Sequence, residues 1–362
     1  MIAPLAKLLD WLAIQLGWGL RARALVKLQS PASGPRVEEA LRFLQGPDFV
    51  PAESLSARLE FDPAGAGEEF HFPTPRPSRF AENNMAYGRL YRCAERWQQR
   101  PAVILLHGAG GADYYFELPR VARHCNRAGI NAATFKAPLQ FQRRPRPFSA
   151  LNWPDYLLLA QIEYAQAIAE IRALLGWLLD QGCPAVAVWG GSYGGALAGL
   201  MACYEERLAA AVVAVPGLDL NVFLSAAKQV AWPGLREVLL RQQPACEALN
   251  QTVLNLTNAR PCIPVDNILL IEALHDLYVQ RQSVEALWQA WGQPDIWRLP
   301  HSHCSRYLLP GLTGRTLRWL APRLENAATR ISLNPQGEAN GRQPFGSETN
   351  RMSAAAASRR SP

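Results

Sequence analysis

The stretch from Ala185 to Leu200, Ala-Val-Ala-Val-Trp-Gly-Gly-Ser-Tyr-Gly-Gly-Ala-Leu-Ala-Gly-Leu, restricts the fold more than any other in this chain of 362 residues. An apolar run with the character of a buried strand stops at Gly190, and a helix-compatible run starts near Ala196. The link between them, Gly190-Gly191-Ser192-Tyr193-Gly194, has the G-x-S-x-G spacing of a sharp strand-to-helix turn. On such a turn a serine hydroxyl stands clear of a sheet, and small flanking residues avoid collisions across it. The helix behind the turn aims its N-terminal amides and the positive end of its dipole at the place where an oxyanion forms. A pentapeptide also recurs by chance, so a glycine-rich turn with an incidental serine is the plain alternative.

Further short apolar runs recur along the chain. Ala102 to Leu106, Ile130 to Phe135, Ala209 to Val215 and Asn267 to Glu272 all read as buried strands, with a shorter one near Pro294 to Leu299. Between them a stripe of Leu157, Ala160, Tyr164, Ile168, Ile171, Leu175 and Leu178 predicts a long helix over residues 155–179. Strand and helix in alternation predict an α/β fold, a mostly parallel central sheet with helices on both faces. Upstream, Ala57 to Phe61, Glu69 to Phe72 and Ala86 to Arg92 predict antiparallel strands at one edge.

The domain is expected over residues 31–325. Within it, 218–262 reads as a cap-like insertion over the mouth of a site, and a closing helix is expected over 306–320. Residues 326–362, rich in Asn, Gly, Ser, Ala and Arg, read as a disordered tail. Residues 1–30 predict an amphipathic helix, with Leu5, Leu9, Leu12, Leu16 and Leu20 on one stripe. Packing on the domain is the plain reading of that stripe. The alternative is peripheral contact with a membrane through residues 1–28, with Trp11 and Trp18 at headgroup level and Arg21, Arg23 and Lys27 beside anionic lipid. Asp10 and Gln15 make the run too polar to span a bilayer, and a small-residue cleavage site is lacking.

A net charge of +7 raises the question of nucleic acid, but the excess sits at the ends. Residues 1–30 carry four Lys or Arg against one Asp, and residues 326–362 carry five against two Glu. The body between is nearly neutral, so no nucleic-acid partner is expected. Seven scattered cysteines without a C-x-x-C pair favour buried thiols in a reducing, cytoplasmic setting. Six dispersed histidines without an H-E-x-x-H give a metal no support.

The site candidates follow the strands. His107-Gly108-Ala109-Gly110-Gly111 closes the 102–106 strand, and such a loop supplies a backbone amide to an oxyanion, here Ala109 with Gly110 next, to join that of Tyr193. No phosphate-loop pattern is present. Past the 130–135 strand lie Arg143, Arg144 and Arg146 among prolines. A solvated charge cluster is the plain reading there, and Arg143 and Arg144 as forks for a phosphate or carboxylate on a substrate the functional one. Asp276, a few residues past a buried strand, can orient a histidine, with Glu272 and Asp219 as substitutes. His301 or His303, on the loop after the last strand, can serve Ser192 as a general base.

The order Ser192, Asp276, His303, each just past a predicted strand, resembles the α/β-hydrolase superfamily over about residues 50–325. Within it the chain looks most like the branch that includes α/β-hydrolase-domain-containing protein eighteen. The residues that carry this likeness are Gly17-Trp18-Gly19, Asp276-Leu277-Tyr278-Val279 and His303-Cys304-Ser305, the last of which selects His303 over His301. The glycine loop at 107–111 is closer to that of general esterases. The resemblance implies a serine hydrolase of carboxylic esters, lipid acyl esters among them, that needs no cofactor. A non-catalytic scaffold of the same fold and a serine peptidase are the alternatives.

Overall fold

The computed structural model describes residues 2–25, 35–50, 53–62, 68–145, 161–217, 236, 240, 243–305 and 309–333. Its strands are β1 (Glu60–Asp62), β2 (Glu68–Pro73), β3 (Met85–Tyr91), β4 (Ala102–Leu106), β5 (Asn131–Lys136), β6 (Val186–Gly191), β7 (Ala210–Ala214), β8 (Ile268–Ala273) and β9 (Asp295–Leu299). They form one sheet in the order β1-β2-β3-β5-β4-β6-β7-β8-β9. Pairing is antiparallel from β1 to β5 and parallel from β5 to β9. The helices are α1 (Ile2–Leu25), α2 (Pro35–Gln45), α3 (Ala112–Phe116), α4 (Leu118–Arg127), α5 (Gln166–Asp180), α6 (Tyr193–Tyr204), α7 (Gln243–Asn250), α8 (Arg281–Ala290) and α9 (Leu312–Leu333).

The central strands are apolar throughout because both faces of the sheet are covered. In β4, Ala102, Ile104 and Leu106 enter one core layer with α5 and α6. Val103 and Leu105 enter the opposite layer with α4 and α9. This is the two-residue period of a strand read by two separate sets of helices. At the rim the pattern changes: β2 buries Phe70 and Phe72 but not His71 between them, and β9 exposes Asp295 and Arg298. The parallel strands run in one direction, so the loops after Leu106, Lys136, Gly191, Ala214, Ala273 and Leu299 emerge at one end of the sheet.

Several expectations need correction. The closing helix runs to Leu333, through Pro322, because Leu317, Leu320 and Leu324 continue its buried stripe. Residues 326–333 of the expected tail are therefore helical, and 334–362 lie outside the described residues. Most of 218–242 also lies outside them, together with Asp219 and Arg146. The later part of the expected insertion is packed rather than perched: Leu249, Leu254 and Leu256 join the core beside Leu287 and Trp291. The Trp291 indole donates to the carbonyls of Leu256 and Ala259.

On α1 the described part of the leucine stripe, Leu5 to Leu12, is not the face that is fully buried. Ala6, Asp10 and Ile14 are buried, whereas Leu5, Leu8, Trp11 and Leu12 are exposed, Leu5 at 61%. Among the described cysteines, Cys125, Cys183 and Cys203 are buried thiols, but Cys262 is exposed. No helix of the described residues is long and apolar enough to cross a membrane.

Candidate active site

Ser192 sits between β6 and α6 with φ 59° and ψ −119°, a left-handed conformation that costs a non-glycine residue about 1–3 kcal/mol. The neighbourhood holds it there. Its N–H donates to the Ala214 carbonyl at 2.9 Å, and its own carbonyl accepts from the Ala196 N–H at 2.9 Å. Glycine is obligatory on either side, because a Cβ on Gly190 would lie 2.0 Å from the Gly194 oxygen and one on Gly194 2.2 Å from the Leu106 oxygen. The G-x-S-x-G pattern is thus the imprint of three backbones in near contact.

The structure brings Ser192, His303 and Asp276 together. His303 Nε2 is 2.8 Å from Ser192 Oγ, and His303 Nδ1 is 2.8 Å from Asp276 Oδ2. With the carboxylate as acceptor, Nδ1 carries the hydrogen and Nε2 is left to accept from the serine hydroxyl. Asp276 is aimed by its second oxygen, Oδ1, which accepts from the amides of Tyr278 at 2.7 Å and Val279 at 2.8 Å. The Tyr278 ring lies 4.7 Å from the imidazole centroid and covers it. This gives the Asp276-Leu277-Tyr278-Val279 sequence a physical meaning.

Glu272 and His301 are engaged elsewhere. Glu272 is ion-paired with Arg298 at 2.9 Å. The His301 imidazole has Nδ1 3.4 Å from the Ser305 hydroxyl, while its main chain pairs with Leu299 and His275. Ser305 explains the histidine-x-serine motif, since its hydroxyl accepts from the Ser302 N–H at 2.8 Å and pairs with the Ser302 hydroxyl at 3.1 Å, knotting the loop that carries His303.

The glycine loop lies against the elbow, for a Cβ on Gly108 would stand 3.6 Å from Ser192 Cβ. Within the loop the amides are not equivalent. Gly108 N–H donates to Asp113 at 2.8 Å, Gly110 N–H to Gln140 Oε1 at 3.0 Å, and Gly111 N–H to the Gly108 carbonyl at 3.1 Å. Ala109 is left as the residue whose amide has no acceptor among the described residues, which separates it from Gly110. Tyr193, first residue of α6, has an amide with no acceptor inside its own helix.

His107 holds the loop in shape. It is buried, its Nδ1 donates to the Gly108 carbonyl at 2.7 Å, and its Nε2 accepts from the Ala137 N–H at 3.0 Å. Burial pushes the imidazole below the ordinary histidine range, in keeping with a neutral ring that donates once and accepts once.

Arg143 is neither a solvated charge nor a substrate fork. It is fully buried, donating to Glu170 at 2.7 and 2.6 Å, to the Lys136 carbonyl at 2.9 Å and to the Asn83 carbonyl at 2.8 Å. Gln166 adds a bond to Glu170 at 2.9 Å. The guanidinium fixes the loop after β5 to α5, and a carboxylate on α5 made that burial affordable where the sequence showed only a proline-rich loop. Arg144 is exposed. Two other residues escaped the sequence reading: Gln140, through its bond to Gly110, and Asp10. The Asp10 carboxylate accepts from the amides of Leu277, His303 and Cys304.

A mostly parallel sheet with a strained serine elbow, and a histidine and an acid on the loops after its last two strands, define an α/β-hydrolase fold. Solved structures agree on that fold. Acetyl xylan esterase 1 from Thermoanaerobacterium sp. JW/SL YS485 superposes with a TM-score of 0.56 at 16% identity, covering 83% of this chain and 98% of that one. The Pyrococcus furiosus esterase Pf2001 gives 0.50 at 16% identity, covering 74% and 92%.

By sequence, the chain belongs to the family described as alpha/beta hydrolase domain containing 18, which matches residues 68–259. That span includes the glycine loop and Ser192 but ends before Asp276 and His303. The protein Rv2627c of Mycobacterium tuberculosis is 29% identical over 233 residues, which make up 62% of this chain and 54% of that one. The chain therefore spans about half the length of that relative. YdjC of Bacillus subtilis is 42% identical over 38 residues, 10% of this chain and 33% of that one.

Proposed function

We propose that the protein is a serine hydrolase that cleaves carboxylic esters through an acyl-enzyme. One observation carries the reading: the unbroken hydrogen-bonded line from Asp276 through His303 to Ser192, beside the amides of Ala109 and Tyr193. Ser192 Oγ attacks the acyl carbon as His303 Nε2 takes its proton, and the carbonyl electron pair moves to the oxygen, where the two amides receive it. Asp276 stays ionised and holds the Nδ1–H, so the imidazolium is oriented and stabilised. Collapse expels the alcohol, which takes the proton from His303. Water then repeats the sequence in reverse roles and frees the acid. That structural neighbours of this fold are esterases supports ester chemistry over the peptidase alternative.

A fluorophosphonate probe tests this directly. Wild type is expected to be labelled and Ser192→Ala left unlabelled, with hydrolysis of p-nitrophenyl esters fastest at one acyl length in a graded series. Failure to label the folded wild type would leave a non-catalytic scaffold. Peptide anilides cleaved faster than every ester would make it a peptidase.

The outward face of α1 favours lipid acyl esters as the substrate class and peripheral contact with the cytoplasmic face of a membrane. Leu5, Leu8, Trp11 and Leu12 lie at helical spacing on that face, and Lys7 is exposed on the same turns. Sedimentation with anionic vesicles is expected to carry wild type down and to leave Leu5→Ser/Leu8→Ser/Trp11→Ser in solution. Equal partition of the two removes this reading and leaves ester cleavage in solution.

A further inference from the structure

The loops that carry the acid and the base are zipped together for only part of their length. The Leu274 N–H donates to the Leu299 carbonyl and the His275 N–H to the His301 carbonyl, both at 2.9 Å, extending the β8–β9 pairing by two bonds. Beyond His301 that backbone pairing stops. Three amides follow, those of Leu277 next to the acid, of His303 itself, and of Cys304. All three end on one side chain from the far end of the chain: Asp10 Oδ2 accepts from Leu277 and His303 at 3.0 Å each, and Asp10 Oδ1 accepts from Cys304 at 2.8 Å.

Asp10 has no exposed surface. A buried carboxylate is retained only where hydrogen bonds satisfy it, and bonds from N–H to an ionised oxygen are about twice as strong as those between neutral groups. The helix around it is arranged for this purpose. Ala6 and Ile14, one turn to either side, are buried with it, while Leu5, Leu8 and Leu12 are exposed.

We propose that Asp10 is a positioning residue of the active site: its carboxylate ties the Asp276 loop to the His303 loop and holds His303 at bonding distance from both Asp276 and Ser192. This rests on the serine-hydrolase reading above. Asp10 does not touch the reacting atoms. It acts on the backbone of the base, and through Leu277 on the loop that aims the acid. The N-terminal helix is thereby part of the catalytic unit rather than an appendage to it.

The test compares wild type with Asp10→Ala and Asp10→Asn. Measurements are kcat and KM on a short p-nitrophenyl ester, the rate of labelling by a fluorophosphonate, and circular dichroism to establish the folded fraction. A displacement of about 1 Å in a catalytic group costs on the order of 100-fold. Asp10→Ala is therefore expected to lower kcat and the labelling rate by about 10- to 100-fold per folded molecule, with KM changed by less than about twofold. Asp10→Asn keeps one accepting oxygen and turns an N–H toward an amide, so it is expected to fall between the two. It also carries the test if the alanine variant does not fold.

If wild type labels and the folded variants label at its rate, the positioning role is overturned and the hydrolase reading stands. A rise in KM with kcat unchanged also overturns it. If folded wild type does not label at all, the hydrolase reading fails first, and Asp10 has no catalytic geometry to set.

Discussion

Replacing Arg143 by methionine separates a structural arginine from a substrate-binding one. The change deletes two bonds to Glu170, at 2.7 and 2.6 Å, and those to the Lys136 and Asn83 carbonyls. Glu170, equally buried, keeps only Gln166 at 2.9 Å among the bonds described here. Removing one partner of a fully buried pair leaves an uncompensated charge and costs about 3–5 kcal/mol. With a urea slope of about 3 kcal/mol per molar, the midpoint falls by about 1–2 M.

The double variant Arg143→Met/Glu170→Leu removes both charges and is expected to regain at least about 2 kcal/mol, because buried pairs exchanged for apolar groups of similar size are often neutral. Urea unfolding followed by tryptophan fluorescence measures both steps, and ester turnover per folded molecule runs alongside. A loss below about 1 kcal/mol in the single variant would refute the buried-pair account. Recovered stability with turnover lost only on anionic esters would return Arg143 to the substrate.

Two further outcomes follow from the glycine loop and the elbow. Burial holds the His107 imidazole below its unfolded value. As the pH falls through the unfolded value, the unfolded chain takes up a proton that the native state does not. The stability contribution is therefore complete above that value and declines below it, by up to about 1.4 kcal/mol per pH unit. Urea midpoints at pH 7.5 and about 5.5 should show this slope in wild type, and His107→Gln should lack that part of it; identical slopes would refute the assignment. Gly190→Ala places a Cβ 2.0 Å from the Gly194 oxygen. It is expected to cost at least about 1–3 kcal/mol in thermal unfolding and to abolish probe labelling, and a wild-type labelling rate would refute the close approach.

The features legible in the sequence are those written locally. Wholly apolar strands such as Ala102–Leu106 announce burial on both faces, and the glycines around Ser192 mark a turn that tolerates no side chains. The strand ends before Asp276 and His303 point to both loops, but they leave His301 open beside His303, and only the resemblance carried by His303-Cys304-Ser305 selects between them. What stayed hidden depends on partners far away in the chain. Asp10 broke an apolar run and read as a polar interruption, yet its acceptors' donors lie 267 to 294 residues downstream. Arg143 in a proline-rich loop carries no mark of the Glu170 that neutralises it from another helix. On α1 the periodicity of Leu5, Leu9 and Leu12 hides the smaller buried set of Ala6, Asp10 and Ile14, which the packing reading of the stripe does not name. Helix α9 passes the expected stop at 320 because Leu324 carries its buried stripe one turn further.

Asp10 also sets an order of assembly. A ribosome adding about 5–20 residues per second makes Asp10 first, Ser192 next and His303 last. The 293 residues that separate Asp10 from the His303 amide then correspond to roughly 15–60 s of synthesis. During that interval the Asp10 carboxylate awaits its three amides, and from the synthesis of residue 192 onward the emerging polypeptide holds a serine hydroxyl with no imidazole beside it. The hydrogen-bonded line from Asp276 through His303 to Ser192 therefore closes only once the His303 loop has been made and meets α1.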